Sequence, residues 1–259
     1  MAEVLRSAFA GSFYPGSRDD LLPVVEEFLN QDCLQYHSAV GMVVPHAGYI
    51  YSGKTAGTGF ASAPDDVKSV IVCAPSHRQP VMNAVVFDVD GIETPLGVCP
   101  VNRDATSVLA GELGSELFHE HSFEVMIPFI QTRWPGAEVV PLILGISPDC
   151  RGIAELIETV LPEGFFIASS DLSHFHPLEE AQLLDDRVIN SFLSLDPRVF
   201  MKSLAEGSEA CGKYPILTLM HLARMKGAVK AVKLDQSTSA DAGAGSTDVV
   251  GYFSGIVYR

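Results

Sequence analysis

Three apolar segments of the chain each run directly into a polar segment that carries a histidine. They are residues 43–49, 73–77 and 168–174, and the polar side chains of interest in them are His46, His77, Asp171 and His174. In an open α/β sheet, the carboxyl ends of parallel strands share one edge, and ligands bind at that edge. We therefore expect these four side chains to lie in one cleft. Imidazole and carboxylate groups suit either a divalent metal ion or acid–base catalysis.

Cys211 is a candidate ligand of a different type. It lies in a loop-like stretch just before an apolar helix predicted over residues 216–225. A helix N-terminus favours the thiolate, which is the form of cysteine that binds metal ions. The competing interpretation is a small buried apolar residue, because most free cysteines behave in that way.

His121 and Glu124 stand at the start of a helix predicted over residues 123–133. Glu124 could accept a hydrogen bond from a metal-bound imidazole and so orient it. The alternative is a solvated helix start, where an acidic side chain complements the helix dipole. The other histidines lack such a context and are interpreted as structural or surface residues, with His176 left open: His37, His119, His176 and His221.

Several other chemistries are excluded by their missing motifs. The sequence has no G-x-S-x-G elbow, no G-x-x-x-x-G-K-[ST] phosphate loop and no G-x-G-x-x-G fingerprint. Ser170, Asp171 and His174 are triad residue types, but they lie too close in the sequence for the relay geometry of a hydrolase.

The charge of the chain argues against two classes of partner. With 32 acidic and 17 basic residues, the net charge of −15 repels nucleic-acid phosphates and anionic membrane surfaces. We predict neither a nucleic-acid nor a membrane partner. The five cysteines are scattered without a C-x-x-C pair, and no signal peptide or membrane-length apolar run is found. These features predict a cytoplasmic protein.

Apolar runs rich in β-branched residues alternate with segments of helical periodicity. This alternation predicts an α/β protein with a single domain over residues 1–259, built on a mixed, largely parallel sheet flanked by helices. Strands are predicted at residues 39–44, 67–74, 139–144, 165–168 and 249–258. Helices are predicted at residues 19–29, 105–112, 123–133, 153–161, 179–193, 199–204 and 216–225.

Three local features complete the predicted fold. Ser17 is expected to cap the helix at residues 19–29. Residues 84–92 predict a β-hairpin, because Asp90-Gly91 favours a tight turn between two short strands. Residues 237–247 are small and polar, which is typical of a loop.

Seven segments, in this order along the chain, resemble the Memo family. They are Ala10-Gly11-Ser12-Phe13-Tyr14-Pro15-Gly16, Pro45-His46-Ala47-Gly48-Tyr49, Pro75-Ser76-His77, Thr94-Pro95-Leu96-Gly97, Glu120-His121-Ser122-Phe123-Glu124, the segment from Ser169 to His174, and Cys211-Gly212 with Pro215. The resemblance extends over nearly the whole chain. It implies a fold similar to the catalytic B subunit of class III extradiol dioxygenases.

The resemblance also implies roles for individual residues. His46, His77 and Cys211 fall at the metal-site positions of the family. Asp171 and His174 would line the same pocket, His174 as the acid–base histidine, and Phe13 would be a flanking aromatic residue. The dioxygenases bind iron(II) through two histidines and a carboxylate, whereas Cys211 offers a thiolate. The implied metal is iron(II) or copper, with zinc as an alternative, and Glu209 is a less favoured source of a carboxylate.

Two hypotheses about function follow from the resemblance. The first is a metal-dependent oxidoreductase, with His174 and Asp171 as its catalytic residues. The second is a non-catalytic adaptor or metal-handling protein that binds an anionic peptide or a small molecule. Microbial members of the family resemble parts of a system with an AMMECR1-domain protein and a radical SAM enzyme. These two proteins are the expected partners, since Tyr14-Pro15-Gly16 favours the microbial branch.

Overall fold

The structure is a computed structural model, and it describes residues 3–259. Its strands are β1 (Val4–Leu5), β2 (Ala39–Val44), β3 (Ser69–Pro75), β4 (Ala84–Val86), β5 (Gly91–Thr94), β6 (Gly97–Pro100), β7 (Glu138–Leu144), β8 (Phe165–Ser169), β9 (His174–His176), β10 (Lys230–Thr238) and β11 (Val249–Tyr258). Its helices are α1 (Arg18–Leu29), α2 (Tyr49–Ser62), α3 (Arg103–Leu113), α4 (His121–Glu124), α5 (Ile127–Arg133), α6 (Cys150–Val160), α7 (Leu178–Leu193), α8 (Pro197–Ala205) and α9 (Lys213–Met225).

An eight-stranded mixed sheet forms the centre of the molecule. Seven of its strands follow the order β10-β11-β2-β8-β3-β7-β4, and β9 pairs with β11. The four strands β2, β8, β3 and β7 run parallel, so their carboxyl ends share one edge. The strands β4, β11 and β10 pair antiparallel on either side of this group. The predicted α/β class with a mixed sheet flanked by helices is confirmed, and it is consistent with the implied dioxygenase-type fold. The parallel part of the sheet is its central group of four strands.

The parallel strands are apolar along nearly their whole length because helices cover both faces of the sheet. Alternate residues of β3 point into two different cores, as the period of two in a strand requires. Val70 and Val72 belong to a core that contains residues of α1, α2 and α5. Ile71 and Cys73 belong to a second core, which contains residues of α6, α7 and α9.

The helices predicted from the sequence lie close to the predicted segments, but one of them is divided into two helices. Ser17 caps α1 as predicted, since its hydroxyl accepts a hydrogen bond from the Asp20 N–H at 3.2 Å. The helix predicted over residues 123–133 is divided into α4 and α5. Pro128 lies in the first turn of α5, where its missing N–H costs least. Among residues 3–259, no helix has both the length and the apolar character that crossing a bilayer requires.

The hairpin predicted over residues 84–92 is wrong. β4 pairs with β7 in the large sheet, whereas β5 pairs with β1 and β6 in a separate three-stranded sheet. The hairpin of this region is β5–β6, and Pro95-Leu96 forms its turn. Asp90-Gly91 instead lies at the end of the segment that connects β4 to β5. The Asp90 N–H donates to the Glu3 carbonyl, and the Asp90 carboxylate accepts the Glu3 N–H.

The two longest elements that the sequence analysis did not predict are α2 and β10. Three glycines in α2 weaken its helical pattern, but they allow close packing: a Cβ on Gly57 would lie 2.4 Å from the Phe28 carbonyl oxygen. The strand β10 is half-exposed and charged, so it lacks an apolar run. It also extends to Thr238, where a 3₁₀ helix over Ser239–Ala242 begins, so the predicted loop at residues 237–247 is shorter than expected.

Candidate metal centre

Three histidines meet at the carboxyl edge of the parallel strands. His46 follows β2, His77 follows β3, and His121 begins α4. Each offers one ring nitrogen, and these nitrogens all lie within 4.8 Å of one another. The ring centroids are 5.3 Å apart for His46 and His77 and 4.8 Å apart for His77 and His121. This imidazole cluster could therefore hold a metal ion.

The position of α4 is fixed by serine hydroxyl groups at the strand ends. Ser122 Oγ donates to the Pro75 carbonyl at the end of β3, at 2.8 Å. Ser169 Oγ, at the end of β8, donates to the Ser122 carbonyl at 2.6 Å. These two buried hydrogen bonds bring a residue that is distant in sequence, His121, to the same edge as His46 and His77.

The hydrogen bonding of His46 leaves one ring nitrogen available for a metal ion. Its Nδ1 lies 2.7 Å from Ser169 Oγ. Because the Ser169 hydroxyl donates its hydrogen to Ser122, it accepts from His46, so Nδ1 carries the proton. His46 Nε2 therefore carries the lone pair. Burial holds the pKa of His46 well below its ordinary value, and the neighbouring His77 and His121 lower it further. A neutral imidazole is the form that binds metals.

Glu120 organises the other two imidazoles, and the sequence analysis assigned it no role. Its carboxylate accepts hydrogen bonds from the backbone N–H groups of His77 and Arg78, at 2.7 and 3.1 Å. Oε1 also lies 3.2 Å from His77 Nδ1 and 3.0 Å from His121 Nδ1. Burial raises the pKa of this carboxyl, but bonds to His121 and His77 outweigh burial and lower it overall. An ionised carboxylate that holds His77 Nδ1 leaves His77 Nε2 free to bind a metal ion.

Glu124, the carboxylate predicted to orient an imidazole, binds the N-terminal segment instead. It accepts hydrogen bonds from the N–H groups of Ala8 and Phe9, each at 2.9 Å, and from Tyr14 Oη at 2.6 Å. The contact with imidazoles belongs to Glu120, one helical turn earlier. Glu120 immediately precedes His121 in the Glu120-His121 pair, and that adjacency was the available signal.

The hydrogen bonds between Glu124 and residues 8–14 also position Phe13. The Phe13 ring lies 4.9 Å from the His121 ring, and the Phe13 carbonyl accepts the Tyr49 N–H at 2.7 Å. Phe13 therefore flanks the imidazole cluster on the side of His121.

Cys211 approaches the cluster from the opposite side. Its Sγ lies 3.2 Å from His46 Nε2 and accepts the Asp171 N–H at 3.2 Å. The helix start was expected to favour the thiolate, but burial outweighs that effect. Burial raises the pKa of Cys211 well above its ordinary value, and the charge of Asp171 adds to this effect. A metal ion binding here would have to displace the thiol proton.

Asp171 and His174 lie on the same side as Cys211. Asp171 Oδ1 accepts the His46 N–H at 2.7 Å, and its Oδ2 lies 3.9 Å from His46 Nε2. Burial raises the pKa of Asp171, and the His46 N–H partly offsets that rise. The half-buried His174 lines a cavity of about 310 Å³ together with Cys211.

Glu209 is engaged away from the imidazole cluster. One of its oxygens accepts the His174 N–H at 3.2 Å, and the other lies 3.1 Å from His176 Nε2. His176 also lies 3.5 Å from Glu180, which follows the start of α7. His176, left open by the sequence analysis, thus forms part of this ion-pair group.

A cluster of three imidazoles beside a half-buried thiol, at the ligand-binding edge of a mixed α/β sheet, defines a class: α/β proteins with a candidate transition-metal site. The sequence profile described as "Memo-like protein" matches residues 6–256, and the chain belongs to this family. The family assignment from the seven motifs is confirmed.

Curated relatives in archaea and bacteria match along nearly their whole length. The MEMO1 family protein of Archaeoglobus fulgidus is 34% identical over 96% of this chain and 97% of its own length. That of Methanosarcina barkeri is 31% identical over 96% and 98% of the two chains. That of Thermotoga sp. is 30% identical over 98% and 99%.

Proposed function

We propose that this protein binds one redox-active metal ion, iron(II) or copper, and acts as an oxidoreductase of the dioxygenase type. The proposed ligands are His46, His77 and Cys211, with His121 as a fourth donor. The observation that carries the proposal is the convergence of three imidazole nitrogens within 4.8 Å, with a thiol 3.2 Å from one of them. Zinc remains the alternative metal.

The distance between Cys211 and His46 suits a shared metal ion. Metal–nitrogen and metal–sulfur bonds are about 2.0 and 2.3 Å long, so two donors to one tetrahedral ion lie roughly 3.5 Å apart. The Cys211 Sγ to His46 Nε2 distance of 3.2 Å is close to that value. Imidazole accommodates iron, copper and zinc, and a thiolate makes the site softer, which favours copper(I) and zinc over hard cations.

The chain itself supplies groups that can hold and move protons beside the ion. A bound iron or copper ion would supply electron transfer to or from a substrate. We assign His174 to proton transfer, because it lines a cavity next to Cys211. We assign Asp171 to orienting His46 through the backbone N–H at 2.7 Å. A cytoplasmic location fits this proposal, because the reducing environment keeps the Cys211 thiol free.

The proposal is tested by oxygen uptake after anaerobic loading with iron(II) or copper(I), with ascorbate as electron donor. We expect uptake that depends on the bound metal. His174→Gln should keep the metal but lower the rate by about 100-fold, the usual contribution of a general acid or base. The matched control His37→Gln changes an exposed histidine and should behave as wild type. A loaded wild type that consumes no more oxygen than the metal-free protein would favour the adaptor hypothesis.

A further inference from the structure

A cavity of about 310 Å³ lies beside the metal centre and shares Cys211 with it. Its other lining residues come from the segment after β8, from α8, and from the loop and first residue of α9, and they are Leu172, His174, Leu204, Ser208, Glu209, Ala210 and Lys213. A second cavity of about 270 Å³ adjoins the first, because Cys211 and Lys213 line both. Volumes near 300 Å³ are at the lower end of the range for small-molecule sites.

Lys213 is the cation of this cavity. Its Nζ lies 5.1 Å from the centroid of the Tyr214 ring, and within residues 3–259 it forms no ion pair with a carboxylate. Lys213 is also the first residue of α9, which is 13 residues long and has no side-chain cap at Gly212. The partial positive charge of the helix start thus adds to the charge of the ammonium group.

Ser208 supplies a second polar group to the same cavity. Its side chain is buried, with a residue exposure of 5%, and its hydroxyl lacks a hydrogen-bond partner among the described residues. Buried hydroxyl groups are usually hydrogen-bonded, so the Ser208 hydroxyl is available to a ligand in the cavity that its residue lines. Ser208 and the exposed Lys213 line the same cavity, and a hydroxyl together with an ammonium group can bind the two oxygens of a carboxylate.

Glu209 is the only acidic residue that lines this cavity, and its charge is already compensated. One oxygen accepts the His174 N–H, and the other lies 3.1 Å from His176 Nε2. The charge of Lys213 is therefore the one left without a counter-ion. The remaining wall is aliphatic, formed by Leu172, Leu204 and Ala210.

We propose that this cavity binds the carboxylate of a small aliphatic acid, with Lys213 and Ser208 as its anchors and the apolar wall against its chain. The inference rests on the proposed function in one respect: the bound acid would be a substrate held beside the metal ligands. One positive charge matches a monocarboxylate, and a phosphate dianion would need more cations than the lining provides.

The test is an NMR titration of the protein with butyrate, with 1-butanol as the neutral analogue of the same shape. It is run on chelator-treated and on zinc-loaded protein, and the backbone signals of residues 208–214 are followed. We expect saturable butyrate binding in both forms and binding of 1-butanol at least tenfold weaker. Lys213→Met should weaken butyrate binding by about tenfold, which is the size of one charge-assisted hydrogen bond.

The matched control is Lys68→Met, which removes an exposed lysine ahead of β3, at the opposite edge of the sheet, and should leave butyrate binding unchanged. Ser208→Ala should weaken butyrate binding about threefold without loss of stability, because it removes a buried hydroxyl that has no partner. A merely structural Ser208 would not show this pattern.

Three results would overturn the proposal: no saturable butyrate binding, equal affinity for 1-butanol, or an unchanged affinity in Lys213→Met. Metal content, measured on the same samples before chelation, separates this inference from the proposed function. If butyrate binding depends on Lys213 but the protein takes up no metal, only the proposed redox function is excluded. A protein that binds metal but not butyrate would exclude only the carboxylate-binding site.

Discussion

The two sides of the imidazole cluster are built in different ways. On one side, Glu120 satisfies two backbone N–H groups and contacts the Nδ1 atoms of His77 and His121. On the other side, Cys211 lies beside a cavity and burial raises its pKa, and the Ser208 hydroxyl that lines the same cavity has no partner within residues 3–259. We call these the Glu120 side and the Cys211 side. His46 lies between them.

The difference indicates a division of labour. A buried carboxylate that accepts several hydrogen bonds at once, as Glu120 does from His77 and Arg78, fixes the geometry of its donors. Groups that are buried without partners raise the energy of the free protein and lower the cost of binding a ligand that satisfies them. The Glu120 side therefore holds the imidazoles in place, and the Cys211 side binds the ligand that lies next to the imidazoles. Removing a group should accordingly disturb stability more on the Glu120 side.

The largest expected effect comes from Glu120→Ala. Removing this carboxylate leaves buried N–H groups without an acceptor, so we expect the free energy of unfolding to fall by about 2–4 kcal/mol. Metal affinity should fall by about 10–100-fold, as is usual when the carboxylate behind a ligating imidazole is lost. Urea unfolding and metal titration measure the two effects. The control Glu116→Ala removes an exposed carboxylate of the same segment, and equal stability of the two variants would contradict the role of Glu120.

A smaller effect on stability is expected from Asp185, which supports the Cys211 side. Asp185 is fully buried and accepts the Ser173 N–H at 3.0 Å, next to the segment with Asp171 and His174. A Cβ on Gly251 would meet Asp185 Oδ2, so only a glycine at position 251 admits the carboxyl group. Burial raises the pKa of Asp185 from its ordinary 3.8 to about 6, although the Ser173 N–H opposes the rise.

Because the folded-state pKa is raised, the neutral carboxyl is the form that folding favours. This contribution is fully present below about pH 4 and is lost as the pH rises through about 6. Asp185→Asn cannot ionise, so it should be more stable than wild type by about 2–3 kcal/mol at pH 8 and nearly equal to it at pH 4. Urea unfolding at the two pH values measures this. The control Asp186→Asn changes the exposed neighbouring carboxylate, and a similar gain in that variant would assign the effect to surface charge.

The smallest effect is expected for Cys211→Ser. A serine hydroxyl is a harder and weaker donor than a thiolate, so copper(I) affinity should fall by about tenfold. Iron(II) affinity should change less, and stability should stay within about 0.5 kcal/mol. Competition with a copper(I) chelator measures the change, and Cys33→Ser is the control. A complete loss of both metals would make Cys211 as important as the imidazoles and would contradict the division between the two sides.

The parallel strands and the histidines that follow them were predictable because their signals are local. An apolar run that ends at His46 or His77 is visible in the sequence, and the parallel topology brings such ends together. Glu120 was not predictable in the same way. Its role depends on the folding of α4 against the ends of β3 and β8, through hydrogen bonds between residues 47 positions apart.

The missed elements have equally physical causes. The glycines of α2 lower its helix propensity, and their value lies in contacts with Phe28 that exist only in the folded state. The pattern of residues 84–92 fits a hairpin, but β4 finds a longer apolar partner in β7, and the pairing energy of the large sheet decides the outcome.

The most direct test of the metal centre is elemental analysis of protein purified without added metal, comparing wild type with His46→Ala. His46 lies between the two sides, so its loss should empty the site whichever side contributes the remaining ligands. His119→Ala is the matched control, because it removes an exposed histidine. We predict about one equivalent of iron or copper in wild type and in His119→Ala, and none in His46→Ala. Equal metal content in all three proteins, or no metal in wild type after reconstitution, would contradict the account.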